Sequence, residues 1–238
     1  MSYIDGEERK SVTLRGQPLN FLFCGTPAVF FAISVQFDKG IIYTIDIPPR
    51  LVVEQFTQGI YTLDEAFLYG GPALANSIIE RILNIRLTRY TQFTRDDILK
   101  TADILGGLNA TLDAKASAQL KMKMGANKLM SQNLVAYLSP ARNSPEEVEV
   151  HERQLLGSLI QGIRDKSIVL TAPTTAQILS LIESNFTTQE VMDFYLRLST
   201  SSSVLQKHVN LPVHEQRTKG RLVFEPDLEK CRAIVKAN

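Results

Sequence analysis

The sequence predicts an α/β fold: a single-domain mixed β-sheet with helices on both faces, in three α-β-α layers. Three observations carry that prediction. Short apolar runs of strand type gather near the start of the chain, capped helical periods fill the middle, and strand and helix signals alternate again toward the end. With 238 residues and 44% hydrophobic content, there is enough apolar material to bury one continuous core.

The elements follow in order. Residues 20–25 (NFLFCG), 29–37 (VFFAISVQF) and 40–47 (GIIYTIDI) are rich in β-branched and aromatic side chains and are separated by Gly-Thr-Pro and Asp-Lys-Gly. They predict three strands, the second and third joined by a hairpin turn at Asp38-Lys39-Gly40. Gly70-Gly71 then allows a sharp corner, and Pro72 occupies a first-turn position where its missing N–H costs nothing. Leu74, Ile78, Ile79, Ile82 and Leu83 recur at helical spacing behind it. The next helix starts at Thr94, capped against Asp97, and stops at Gly106-Gly107. Further helices are predicted over 126–138, 145–163, 174–184 and 187–198, the last opened by a Thr187 to Glu190 capping box. The tail predicts a strand within 199–209, another in the run that begins at Gly220, and a terminal helix starting near Pro226. The serine-rich run 199–203 is too short for an interdomain linker, so 18–238 reads as one domain after an extension at 1–17.

Composition excludes several function classes. A net charge of +1, from 26 basic and 25 acidic residues, gives no overall field to attract nucleic acid or anionic lipid. No apolar run is long enough to span a bilayer, and the charged first ten residues do not resemble the apolar core of a signal peptide. The protein is thus expected to be cytoplasmic or to have been cut after a membrane anchor. Cys24 and Cys231 show no metal-ligand spacing and are expected to be unpaired structural thiols. His151, His208 and His214 are scattered, and no Walker loop, Gly-x-Gly-x-x-Gly or Ser-His-Asp arrangement is present.

The corner carries more information in context. Ala66-Phe67, Tyr69-Gly70-Gly71-Pro72, Ile82-Leu83, Tyr90 and Asp103-Ile104-Leu105-Gly106-Gly107 follow one another in an order that resembles the LytR-CpsA-Psr family. The resemblance resumes at Gly125, Leu129, Val135-Ala136-Tyr137 and Arg153-Gln154, and upstream it includes residues 20–25 and Ile47-Pro48. Members of that family transfer glycopolymers from a polyprenyl-pyrophosphate carrier onto peptidoglycan, outside the cytoplasmic membrane on an N-terminal anchor that this chain lacks. The resemblance therefore implies a membrane-proximal, extracellular cell-envelope protein. Its expected partners are a polyprenyl-phosphate lipid and a cell-envelope glycopolymer or protein, with no nucleic acid.

The same resemblance locates where the chemistry should be. Holding a pyrophosphate and aiming an acceptor hydroxyl calls for arginines, and for carboxylates to bind Mg²⁺. The family's acidic residue after the first strand falls at Pro27, and its following Arg-Ser-Asp loop is shortened to Ala28-Val29-Phe30. In the Ile-Pro-Arg-Asp motif, the arginine position is Pro49 and the aspartate position Arg50. The lysine and asparagine before the corner become Thr62 and Asp64. Two further arginine positions hold Ser139 and Val150. The resemblance implies a member degenerate in its catalytic positions, with Mg²⁺ ligands largely missing, no catalytic residue assigned and no cofactor expected.

The candidate phosphate contacts are Arg50, Arg142, Arg153 and Gln154. Arg153 with Gln154 either meets a phosphate at a helix start or leaves Arg153 to pair with Glu149 on a solvated face. Arg142 stands in a loop, and Arg50 sits beside the family's motif. Three functions remain open at this point: a non-catalytic lipid or partner binder, an active phosphotransferase with rearranged ligands, and a purely structural interaction module.

Overall fold

Strict alternation along the first three apolar runs decides which side chains face which layer. The computed structural model describes residues 18–26, 29–53, 61–139, 141–164, 167–200, 205–218 and 220–236. Strands β1 (Leu19–Thr26), β2 (Val29–Gln36) and β3 (Ile41–Ile47) form an antiparallel meander in which Phe21 pairs with Ile33 and Ile33 with Thr44. A 3-10 turn at Phe37–Lys39 links β2 to β3, and Gly40 closes it at φ 61°, a left-handed conformation that glycine adopts without strain.

Then come α1 (Leu63–Leu83), β4 (Arg89–Thr94), α2 (Arg95–Ile104), β5 (Leu108–Leu112) and α3 (Ala114–Leu120). Next are β6 (Gly125–Leu129), α4 (Ser131–Tyr137), α5 (Pro145–Arg164), α6 (Ala172–Leu181) and β7 (Glu183–Ser184). The chain ends with α7 (Thr188–Thr200), β8 (Leu205–Asn210), β9 (Val213–Thr218), β10 (Arg221–Pro226) and α8 (Leu228–Lys236). The main sheet has the order β7-β4-β1-β2-β3-β8. It is mixed, because β4 runs parallel to β1 and β8 parallel to β3.

On one face of this sheet, Leu22, Cys24, Phe30, Ala32 and Ile45 pack beneath Ile78 and Ile79 of α1 and Cys231 of α8. On the other face, Phe31, Ile33, Val35 and Ile42 meet Leu159 of α5 and Tyr195 and Leu198 of α7. A third core joins α2, α4 and α5 to the β5–β6 pair. Cys24 and Cys231 are both fully buried in the first core and both free. Burial raises the Cys24 thiol pKa and pushes that of Cys231 up to about 11, which leaves both inert as nucleophiles at neutral pH.

The corner at Gly70-Gly71 lies inside α1. Gly71, at φ 65° and ψ −165°, breaks the helix, and Pro72 starts the second segment. The first segment lies outside the sequence prediction; it buries Leu63, Ala66 and Phe67, with the Phe67 ring edge-on to Phe30 at 5.3 Å.

The cap at Thr94 forms as predicted. Its hydroxyl accepts from the Asp97 N–H, and the Asp97 carboxylate accepts from the Thr94 N–H at 2.9 Å. The exit is a Schellman closure: Gly107 N–H reaches the Ala102 carbonyl and Gly106 N–H the Asp103 carbonyl.

Two predicted helices are corrected. The span 126–138 divides into β6, an extended Met130 and α4; the helical spacing of its apolar residues is overridden by pairing of Ala126 to Leu129 with β5. The helix placed at 174–184 starts at Ala172 and ends at Leu181, because Ile182 turns extended and Glu183–Ser184 pair with β4. Strands β5 and β9 and helix α3 have no counterpart in the prediction.

Candidate functional site

The second face of the sheet does not close completely. Phe21, Phe23 and Phe93 from β1 and β4, Leu159 from α5, Leu179 from α6 and Phe194 from α7 surround an apolar cavity of about 170 Å³. Phe23 stacks on Phe93 at 5.2 Å, and Phe21 meets Phe186 edge-on at 5.3 Å. Rings locked against each other cannot collapse into the space, and the void persists. The polar side chains in its wall are Thr91, Thr101, Thr175 and Ser184, and none of the described lining residues carries a charge. The Thr175 hydroxyl donates to the Met192 sulfur at 3.2 Å, which ties α6 to α7 beside the cavity.

A smaller chamber of about 50 Å³ continues the space. It shares Phe23, Phe93, Thr101 and Leu159 with the first and adds Gly25, Val29 and Glu152. Gly25 and Val29 are the paired ends of β1 and β2, so this chamber points toward the β1–β2 connection. The Pro27 and Ala28 positions, where the sequence places the lost acidic residue and its loop, lie outside the described residues. Glu152 is the one charged side chain among the described lining residues of either chamber.

The lid over the larger cavity is held by electrostatics. Arg89 Nε lies 3.1 Å from both carboxylate oxygens of Glu190, and the Arg89 terminal nitrogen also bonds that carboxylate. The same carboxylate accepts from the Thr187 N–H and hydroxyl, so the predicted capping box of α7 doubles as its anchor to β4. Burial opposes ionisation of Glu190, but Arg89 and Thr187 outweigh it and hold the carboxyl below the usual glutamate range.

Two of the four predicted phosphate contacts, Arg50 and Gln154, line different clefts. Arg50 is exposed and lines a cleft of about 440 Å³ with Thr62, Asp64, Glu65 and Arg221. In that cleft the Thr62 hydroxyl donates to Asp64, and Arg221 lies 3.7 Å from Glu65. Gln154 lines a different cleft of about 220 Å³, where its Oε1 accepts from the Tyr137 hydroxyl at 2.8 Å. The two clefts share no lining residue. Arg142 is exposed in the loop before α5, its carbonyl accepting from Gln119 at 3.3 Å. Arg153 lies well inside α5, not at a helix start; the start is at Ser144, whose hydroxyl accepts from Glu147 N–H while Glu147 accepts from Ser144 N–H.

Val150, His151 and Tyr137 also face the Gln154 cleft. The His151 Nδ1 lies 2.8 Å from the Tyr137 carbonyl, and the two rings stack at 3.9 Å. Burial, with Asp113 nearby, pushes the Tyr137 hydroxyl up to about 12, so it stays a neutral donor to Gln154. A cation that sequence reasoning passed over is Arg95, which opens α2 directly after the capping Thr94; its Nε is buried without a hydrogen-bond partner among the described residues. Thr94 pairs with Thr26, so Arg95 starts at the same end of the sheet as the smaller chamber. Its signal in the sequence was position alone, a basic residue at the mouth end of a parallel strand.

Among the described residues, no group of three or more His, Cys, Asp or Glu side chains is placed to hold a metal ion. No described helix is long and apolar enough to cross a membrane.

Comparisons with known proteins agree with one another. The model of the LytR_cpsA_psr family matches residues 52–238. No curated protein matches the sequence. Among solved structures, B. subtilis TagV superposes with a TM-score of 0.73 at 17% identity, covering 94% of this chain and 97% of that one. A structure described as the LytR-CPS2A-psr family protein YwtF (TagT) with bound octaprenyl pyrophosphate lipid gives 0.72 at 16% identity, over 96% and 92% of the two chains. TagT bound to LIIa-WTA gives 0.72 at 18% identity, over 92% and 89%.

Proposed function

Because the chain belongs to the LytR_cpsA_psr family, a family of cell-envelope proteins, we propose that it is a non-catalytic member that keeps the apolar chain-binding space and lacks the phosphate chemistry. In this reading it binds a polyprenyl-phosphate lipid, or a partner that presents one, at the outer face of the cytoplasmic membrane. The observation that carries the reading is the pair of apolar chambers on one face of the sheet, lined among the described residues almost wholly by aromatic and aliphatic side chains. A hydrocarbon-walled cavity recovers apolar burial from a lipid chain.

The separation of Arg50 from Gln154 supports the same conclusion. Transferring a phosphoryl-linked polymer needs donors converging on the charge that develops. Arg50 shares its cleft with Asp64 and Glu65, while Gln154 lies in another. The experiment is a transfer assay with a polyprenyl-pyrophosphate-linked glycopolymer and Mg²⁺, run beside native mass spectrometry of protein taken from membranes. Co-purified prenyl phosphate without turnover is the expected pair of results. Metal-dependent transfer at the rate of a family enzyme overturns the non-catalytic part, and absence of any lipid favours a purely structural module.

One observation favours the active alternative, a phosphotransferase with rearranged ligands: the unpartnered Nε of Arg95 at the mouth end of the sheet. If transfer is seen, Arg95→Ala should abolish it.

A further inference from the structure

We propose that the apolar site discriminates by chain length and takes only about one or two isoprene units, so that it recognises a short prenyl chain or one end of a long one. The inference rests on the lipid reading above and concerns how much of the lipid is enclosed.

The larger chamber measures about 170 Å³. A dry cavity of about 150 Å³ holds one benzene-sized group, which is close to a single isoprene unit. The second chamber adds about 50 Å³, enough for a few more carbons. A chain as long as the octaprenyl group seen in the TagT structure far exceeds both together.

Three features keep the space short. Phe21 is braced against Phe186 and Phe194 along one side of the larger chamber. Helix α6 is fixed by the Thr175 bond to Met192, and α7 by the Arg89 and Glu190 pair. Toward the smaller chamber, Phe23 and Phe93 stack and Leu159 reaches into both spaces, forming a waist. Lengthening the enclosed chain therefore requires breaking a side-chain hydrogen bond or a half-buried ion pair as well as displacing rings.

The test is a homologous series of isopentenyl, geranyl, farnesyl and geranylgeranyl monophosphates, with binding to the full chain read by displacement of an apolar fluorescent dye. The chain has no tryptophan to interfere. Each buried methylene is worth about fourfold in affinity, so affinity should climb at least about tenfold from isopentenyl to geranyl and then level off, with farnesyl and geranylgeranyl within about threefold of geranyl. A second arm uses Leu159→Ala, which opens the waist and should move the break to farnesyl; circular dichroism checks that the variant is folded. Should that variant fail to fold, the wild-type series decides alone. Affinity that keeps rising about tenfold per unit through geranylgeranyl overturns the inference and leaves the lipid reading intact. Binding of none of the four overturns the lipid reading and this inference with it.

Discussion

The two faces of the central sheet are built from alternate residues of the same strands, yet they pack differently. Leu22, Cys24, Phe30 and Ala32 lie under α1 and α8 in a core with fully buried members, while Phe21 and Phe23, their immediate neighbours in sequence, surround a void. The first face carries Ala66, Ala75 and Ala32, small residues that let a helix settle close to the sheet. The second carries aromatic rings that meet one another edge-on or stacked and hold α6 and α7 away. One face stores stability, and the other keeps space at some cost to it.

The largest effect should appear where packing is complete. Leu22→Ala removes a fully buried side chain beneath α1 and should cost about 2 to 5 kcal/mol in chemical denaturation. A loss below about 1 kcal/mol would mean that this face also collapses into spare room, and the contrast between the faces would be gone. Gly71→Ala comes next. A Cβ there meets nothing within 4 Å, so its cost is purely that of the backbone at φ 65°, ψ −165°, about 1 to 3 kcal/mol. Because the corner launches the helix over the packed face, the change should lower stability without altering dye binding in the cavity.

The lid of the cavity should respond to pH where the packed face does not. Glu190 titrates below its ordinary range in the folded protein, so its contribution is fully present above the unfolded-state value and is lost as pH falls through the lowered folded value. Glu190→Gln should remove about 1.5 to 3 kcal/mol at neutral pH, the worth of hydrogen bonds to a charged group. It should also flatten this part of the acid limb of the stability profile. Dye release on acidification in the wild type, with no matching step in the variant, would locate the effect at α7.

These expectations differ in how far the sequence alone supports them. Strands β1 to β3 were legible because β-branched and aromatic residues cluster between Gly and Pro breaks, and the caps at Thr94 and Thr187 because each pairs with an acid three residues on. Strand β6 was not, since Ala126, Leu129 and Leu134 also fit a helical period and only pairing with β5 chooses between them. Helix α3 is short and rests on the Asp113 cap, a signal that also fits a turn. Family membership was legible through the order of Tyr69-Gly70-Gly71-Pro72 and Leu105-Gly106-Gly107. The cavity was not, because Phe21 and Phe23 read as ordinary core; only the position of α6 and α7 turns them into walls. The separation of Arg50 from Gln154 is likewise a property of how β3 and α5 are placed, which no local pattern encodes.

The smallest predicted effect is also the sharpest test of the contrast, because it reverses sign between the faces. Val191 lines the cavity from α7, and Val191→Ile extends one methylene into empty space. Filling that space should raise stability by about 0.8 kcal/mol, the value of one buried methylene group, and should weaken dye binding by taking its room. Ala32→Val on the packed face adds volume where Ala32 is already fully buried, and should lower stability by about 1 to 3 kcal/mol through forced displacement of its neighbours. Two additions of apolar volume to the same sheet thus shift the denaturation midpoint in opposite directions. If both shift it downward, the space beside Phe21 and Phe23 is not open to an added side chain, and a ligand chain would have to force its own entry between α6 and the sheet.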